Sequence, residues 1–151
     1  LHKDELISAT DDCGAPILHL RLSQMAYLYA KLGNSQNAEL EQINRAIIAN
    51  PLLISGEGRF DTELMRRSHS QIISKGGAEG IQCISRLREG IGLAIKVEDG
   101  SKRAKHAVAL HILKQLDWVT PSCIEEVEKL TIRLSKLQKI EVSGDLKFQE
   151  T

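Results

Sequence analysis

The sequence predicts an α+β fold, an antiparallel sheet with flanking helices, and three observations carry that prediction. Apolar residues at three-and-four spacing occupy both ends of the chain, the signature of amphipathic helices. Between them lie three strand-like stretches, Gln71 to Ser74, Gly80 to Leu87 and Ile91 to Val97, joined by connections too short for a parallel crossover and therefore antiparallel. After the last strand, Ala107, Leu110, Leu113 and Leu116, with Val108 and Ile112 beside them, give a helix from about Lys102 to Asp117 an apolar face broad enough to cover one side of a sheet.

In chain order, Asp11-Asp12-Cys13-Gly14-Ala15-Pro16 combines residues that turn the backbone and exclude a helix, so a fixed loop is expected there. Ser23 is a good N-cap for a first helix that Gly33-Asn34 closes, and a second helix carrying Leu40, Ile43, Ile47 and Ile48 runs to Asn50-Pro51, where the proline restrains the residue before it. Gly56-Glu57-Gly58-Arg59-Phe60 breaks the pattern and leads to Asp61, which is expected to cap a short helix from Thr62 to Arg67. The three strands and the core helix follow. Thr120-Pro121 then offers an N-cap and an N1 proline for a last helix through about Leu134, with Arg133 near its end as the macrodipole favours. From Gln138 the tail alternates weakly, which fits an edge strand or a frayed end. No repeat, low-complexity tract or linker interrupts residues 1–151, so one α+β unit is predicted.

Composition narrows the function classes. A chain of 151 residues removes roughly two-thirds of its extended surface from water and can bury a core. Lysine plus arginine equals aspartate plus glutamate at 20 each, so there is no electrostatic footprint for nucleic acid or an anionic membrane. Cys13, Cys83 and Cys123 form neither an even framework nor a Cys-x-x-Cys pair, which favours reduced thiols and a cytoplasmic setting. No apolar run approaches a membrane span, and no signal peptide is visible. The chain opens at Leu1 without methionine and reads like the middle of a longer protein.

The densest local signal is Ser74-Lys75-Gly76-Gly77-Ala78-Glu79-Gly80, one lysine against three glycines between isoleucine-rich strands. Glycine in a strand often marks close approach of a ligand or another backbone, and a lysine there can meet a carboxylate or carry a proton. A tight hairpin with a solvated lysine accounts for the same residues. Cys13 beside Asp11 and Asp12 suggests a metal ligand, yet no second ligand stands nearby, and on local evidence a buried or incidental thiol explains it better. The histidines form no metal-binding pair; His106 and His111 would diverge on a helix and read as packing or surface residues. No serine is followed three residues later by a lysine, the spacing that activates a serine nucleophile.

Taken together, Asp11-Asp12-Cys13-Gly14-Ala15-Pro16, Gly58-Arg59-Phe60-Asp61-Thr62, Lys75-Gly76-Gly77-Ala78-Glu79-Gly80 and Lys96-Val97-Glu98-Asp99-Gly100 resemble, in order, the C-terminal half of the L-asparaginase II family, the Rhizobium-type asparaginases. The resemblance implies a fold related to serine β-lactamases and glutaminases. It implies hydrolysis of L-asparagine to L-aspartate and ammonia by a serine activated in a Ser-x-x-Lys pair, which belongs to an N-terminal half absent here, so that this chain alone would be inactive. It implies a catalytic role for Lys75, by analogy with the Lys-Thr-Gly strand of β-lactamases. Substrate contacts are then expected from Gly76, Gly77, Arg59 and Glu79. It implies a zinc ion for which Cys13 supplies one ligand, with Asp11 behind it and the other ligands outside this chain; no organic cofactor is implied. Asp12 stands where the family usually has glycine. The resemblance also implies a homodimer for the intact protein, in the cytoplasmic setting that the cysteines favour. A non-catalytic remnant or interaction module of the same fold, and an amidohydrolase acting on glutamine or another amide, are the alternatives.

Overall fold

The computed structural model describes residues 6–132, 134 and 138–147. Its elements run β1 (Ile7–Thr10), β2 (Pro16–His19), α1 (Leu22–Asn34), α2 (Ala38–Ala49), α3 (Pro51–Ser55), α4 (Phe60–Arg67), β3 (Ile72–Gly76), β4 (Ile81–Arg86), β5 (Ile91–Lys96), α5 (Lys102–Gln115) and α6 (Pro121–Thr131). The fold is α+β, with two small antiparallel sheets and helices on both faces of the larger one. Among the described residues, no helix is long and apolar enough to cross a membrane.

The larger sheet has the order β3-β4-β5, both pairs antiparallel. Side chains alternate across a pleated strand, so the register divides the sheet into two faces. Ile72, Ser74 and Gly76 pair with Arg86, Ile84 and Gln82, and share their face with Leu93 and Ile95 of β5. On that side Ile72, Ile84 and Ile95 meet Phe60 and Leu64 of α4, Ala109 and Leu113 of α5, and Trp118, Cys123 and Val127. That is the core. The opposite face, carrying Ile73, Lys75, Cys83, Ser85, Gly92 and Ala94, is covered by α1.

Two glycines let α1 approach so closely. A Cβ built on Gly92 would stand 2.0 Å from the Ala26 carbonyl oxygen and 2.5 Å from the Ala30 nitrogen; one on Gly33 would stand 2.1 Å from Ser85 Oγ. Helix and strand therefore touch backbone to backbone, an arrangement open only where Cβ is missing.

Several boundaries differ from the sequence expectation for identifiable reasons. The Asp11 to Pro16 loop is the turn of a hairpin, β1 pairing with β2 from Ile7↔His19 to Thr10↔Pro16. Its strands are four residues each and almost wholly exposed, so they carry no alternation to detect. Helix α1 starts at Leu22 with Arg21 as its cap, the Arg21 N–H donating to Gln24 Oε1 at 2.8 Å. Pro51 ends α2 as expected and also begins the short α3, occupying the N1 position where no N–H is needed. Asp61 is not the cap of α4; Arg59 is, and Asp61 lies inside the first turn. α6 ends at Thr131, and Arg133 lies outside the described residues. Residues 138–147 form no strand. They lie along α5 instead, where Leu146 N donates to Gln115 Oε1 at 2.9 Å and Gln115 Nε2 to the Gly144 carbonyl at 2.9 Å.

Candidate functional site

The site is built around the carboxylate of Asp61. Helix α4 is unusual in that Phe60, Asp61, Thr62, Glu63, Leu64 and Met65 are all buried. Polar residues there must find partners inside the protein, since an unpaired buried polar group is costly. Thr62 donates to the Pro51 carbonyl at 3.2 Å. Glu63 accepts from the Gly58 N–H at 3.2 Å and pairs with Arg67, which also reaches Glu126 at 2.9 Å. Asp61 takes the sheet: Oδ1 accepts from Ser74 Oγ at 2.7 Å and from Gln82 Nε2 at 2.7 Å, and Oδ2 accepts from the Gly76 N–H at 2.9 Å. Gln82 Nε2 also donates to Ser74 Oγ at 2.9 Å. One carboxylate thus fixes the end of β3 and the start of β4.

Lys105 completes the cluster from α5. Its side chain is buried, and Nζ donates to the carbonyls of Gly77 at 3.0 Å and Ile81 at 2.8 Å. A Cβ on Gly76 would come within 2.9 Å of this Nζ, 3.1 Å of Gln82 Oε1 and 3.4 Å of Asp61 Oδ2. Glycine at 76 is what admits the cluster over the strand. Burial lowers the Lys105 pKa first; the Asp61 charge raises it, and Lys102, Lys75 and Arg59 each push it down further.

His106, next on α5, stacks on Phe60 with ring centroids 4.2 Å apart and planes 5° from parallel. Burial, then the charge of Lys105, depresses its pKa to about 4, so the ring is neutral at ordinary pH. Both histidines expected to be packing or surface residues act so: His111 sits on the same helix, 2.9 Å from the Gly144 carbonyl.

The residues expected at the site divide between locations. Gly76 is in the Asp61 cluster, and Gly77 is tied to Lys105. Arg59 is exposed at the start of α4, two residues before Asp61. Lys75 is exposed and leaves the sheet on the α1 face, opposite to Ser74 and Gly76, its Nζ donating to the Gly76 carbonyl at 2.6 Å. It pairs across the sheet with Cys83, a buried thiol whose pKa burial raises to about 11. Glu79 is exposed in the turn between β3 and β4, with its carboxylate over Gly100 and its carbonyl accepting from Lys96 Nζ.

Cys13 is exposed, not buried, at the tip of the β1–β2 hairpin. Asp11 organises that turn: its Oδ1 accepts from the N–H groups of Cys13 and Ala15, each at 2.9 Å. That oxygen is already engaged. Among the described residues no three His, Cys, Asp or Glu side chains converge as a metal centre would require. The residues here do not by themselves fit a zinc ion, and Cys13 offers one thiol toward one.

Sequence reasoning missed Asp61, Ser74, Gln82 and Lys105 as site residues. For Lys105 a signal existed: Lys105, Ala109 and Leu113 stand at i, i+4 and i+8, one helix face, and all three are buried. A lysine on the apolar stripe of a core helix calls for a buried acceptor. For Asp61 the signal was masked, because an acidic residue near a helix start reads as a cap.

None of the curated protein sequences compared with the chain matches it. The family model described as L-asparaginase II matches residues 1–148, nearly the whole chain. With the four blocks in order and the third of them set in the Asp61 cluster, the chain belongs to the L-asparaginase II family.

Proposed function

We propose that this chain is the C-terminal part of an asparaginase-type amidohydrolase that converts L-asparagine and water to L-aspartate and ammonia. The family match over residues 1–148 carries the reading. A serine supplied by residues outside 1–151 attacks the side-chain amide carbon. The C–N bond breaks, ammonia leaves with a proton, and water then cleaves the acyl-serine ester to release aspartate and restore the serine hydroxyl. Lys75, exposed at the end of β3, carries the proton between serine, leaving nitrogen and water. Gly76 and Gly77 offer backbone without side-chain obstruction. The cations Arg59, Lys75 and Lys102, which act on Lys105 along with Asp61, suit a substrate that bears a carboxylate; Arg59 takes that carboxylate and Glu79 the α-amine. The fold relationship to serine β-lactamases and glutaminases, a cytoplasmic homodimer, and a zinc ion with Cys13 as one ligand belong to the same proposal.

A non-catalytic remnant or interaction module of the same fold, and an amidohydrolase acting on glutamine or another amide, are the competing readings. Ammonia release by the full-length gene product, assayed with asparagine, glutamine and other amides, separates the readings. Ammonia from asparagine supports the proposal, ammonia from a different amide alone moves the substrate, and none from any amide supports the remnant. Lys75→Ala should lower kcat by about 10²–10⁴-fold, the range for a lost proton carrier, with folding intact because the side chain is exposed. Unchanged kcat would remove Lys75 from the mechanism.

A further inference from the structure

We infer that Lys105 is the positioning residue of the glycine turn: from α5 it grips the carbonyls of Gly77 and Ile81 and so sets the backbone that the site presents to its substrate.

Asp61 holds the turn at Gly76, while Lys96 Nζ donates to the Glu79 carbonyl and the Val97 N–H to the Gly80 carbonyl on the β5 side; among the described residues, Lys105 is the one hydrogen-bonding tie to α5. Within the turn, the Gly77 N–H donates to the Ile81 carbonyl at 2.9 Å and the Ile81 N–H to the Ala78 carbonyl at 3.1 Å. Residues 77–79 are exposed, and three glycines in five residues give this backbone unusual conformational freedom. Lys105 lies 28 residues after Gly77 and 24 after Ile81 in the chain, yet its Nζ bonds both carbonyls. It therefore pins both ends of the turn to a core helix whose Ala109, Leu110 and Leu113 are buried in the main apolar cluster.

The pocket for that ammonium is built. Lys105 is 4% exposed, and Gln82 Oε1, in a side chain of 0% exposure, has no hydrogen-bond partner. That oxygen and Nζ stand 3.1 Å and 2.9 Å from the point where a Gly76 Cβ would be. Two acceptor oxygens, the Gly77 and Ile81 carbonyls, hold the cation, with Asp61 supplying countercharge nearby. A buried cation among carbonyl oxygens is bound in place as an ion would be, but here it is covalently part of α5. Two of its three N–H groups go to these carbonyls and its side chain is buried, so its role is to hold the turn, not to meet substrate.

The kinetic part of this inference rests on the asparaginase reading, while the structural part does not. Lys105→Met keeps the length and apolar stem and removes the donors. In the full-length protein, the amide protons of Gly77 and Ile81 should then exchange at least about 10-fold faster than in the wild type, while those of β5 stay protected. With asparagine, KM should rise about 10-fold or more and kcat change less. Loss of stability alone would lower apparent kcat through the active fraction and leave KM unchanged. Gly76→Ala is the second variant, since its Cβ displaces the ammonium without removing a charge, and it should accelerate the same two amides. The double variant should be no faster than either single one, as expected for groups acting through one contact. Unchanged exchange at Gly77 and Ile81 in a folded Lys105→Met or Gly76→Ala protein would overturn the inference, as would additive effects in the double variant. Faster exchange in a protein that releases no ammonia would sustain the role of Lys105 and refute the asparaginase reading.

Discussion

Asp61 in the first turn of α4 accepts a 2.7 Å hydrogen bond from Gln82 Nε2 in the central strand, across 21 residues of chain. The same carboxylate receives Ser74 Oγ and the Gly76 N–H, so α4, β3 and β4 share one acceptor. Such a group is dispensable only if its donors can find others, and two of the three cannot turn to water: Ser74 and Gln82 are fully buried, while Gly76 is half-buried.

Asp61→Ala therefore leaves buried donors unpaired, at about 1–3 kcal/mol for each. A loss of about 3–5 kcal/mol in urea unfolding is expected, with the midpoint falling and the slope preserved. Asp61→Asn, which retains one oxygen but points an amide NH2 at other donors, should fall between. A loss below about 1 kcal/mol for Asp61→Ala would mean that the cluster does not hold the sheet.

Gly92→Ala forces a methyl group against the α1 backbone at Ala26 and Ala30. Neither can move without shifting the whole helix, so about 3 kcal/mol of overpacking is expected. Equilibrium unfolding measures it, and a crystal structure of the variant should show α1 displaced from β5. A neutral substitution would contradict the close packing described above.

Stability should fall in mild acid because of His106. Its folded pKa of about 4 lies below the unfolded value of 6.5, so between those values the unfolded chain binds the extra proton. Stability from this ring is complete above pH 6.5 and is lost as pH falls toward 4. The ring is half-buried, so the discounted effect is about 1–2 kcal/mol. Other groups titrate in the same window. The readout is therefore the difference from His106→Phe, which keeps the stack on Phe60 and should flatten the slope by that amount.

Thiol labelling should find one reactive cysteine. Cys13 is exposed, whereas Cys83 and Cys123 are buried and burial raises the pKa of each, which suppresses the reactive thiolate. A chromogenic disulfide at pH 8 should titrate one thiol in the native chain and three in denaturant. If zinc protects Cys13 in the full-length protein, its proposed role as a ligand gains support; unimpeded labelling at saturating zinc would end it.

The local code for most of this architecture was legible. Pro51 and the Thr120-Pro121 pair stop and start helices through their own covalent geometry. The β3–β4–β5 strands announce themselves by isoleucine runs between glycine-bearing turns, and the broad apolar face of α5 fixes what it must cover. The family resemblance, too, was readable, because four blocks in order are far more specific than one. All of these depend on residues near each other in the chain, where spacing and propensity act directly.

Only the tertiary structure decided what the polar residues do. Nothing within ten residues of Asp61 foretells that its partners are Ser74, Gly76 and Gln82, or that Lys105 reaches back to Gly77 and Ile81. A buried polar group takes whichever partner the fold brings within about 3 Å, and that partner is set by how sheet and helices stack. The pleat likewise sends Lys75 and Gly76, neighbours in sequence, to opposite faces. By itself the sequence determined the three-stranded sheet, most of its helices and the family of this protein, whereas packing determined that the glycine strand is held from beneath by an aspartate and a lysine.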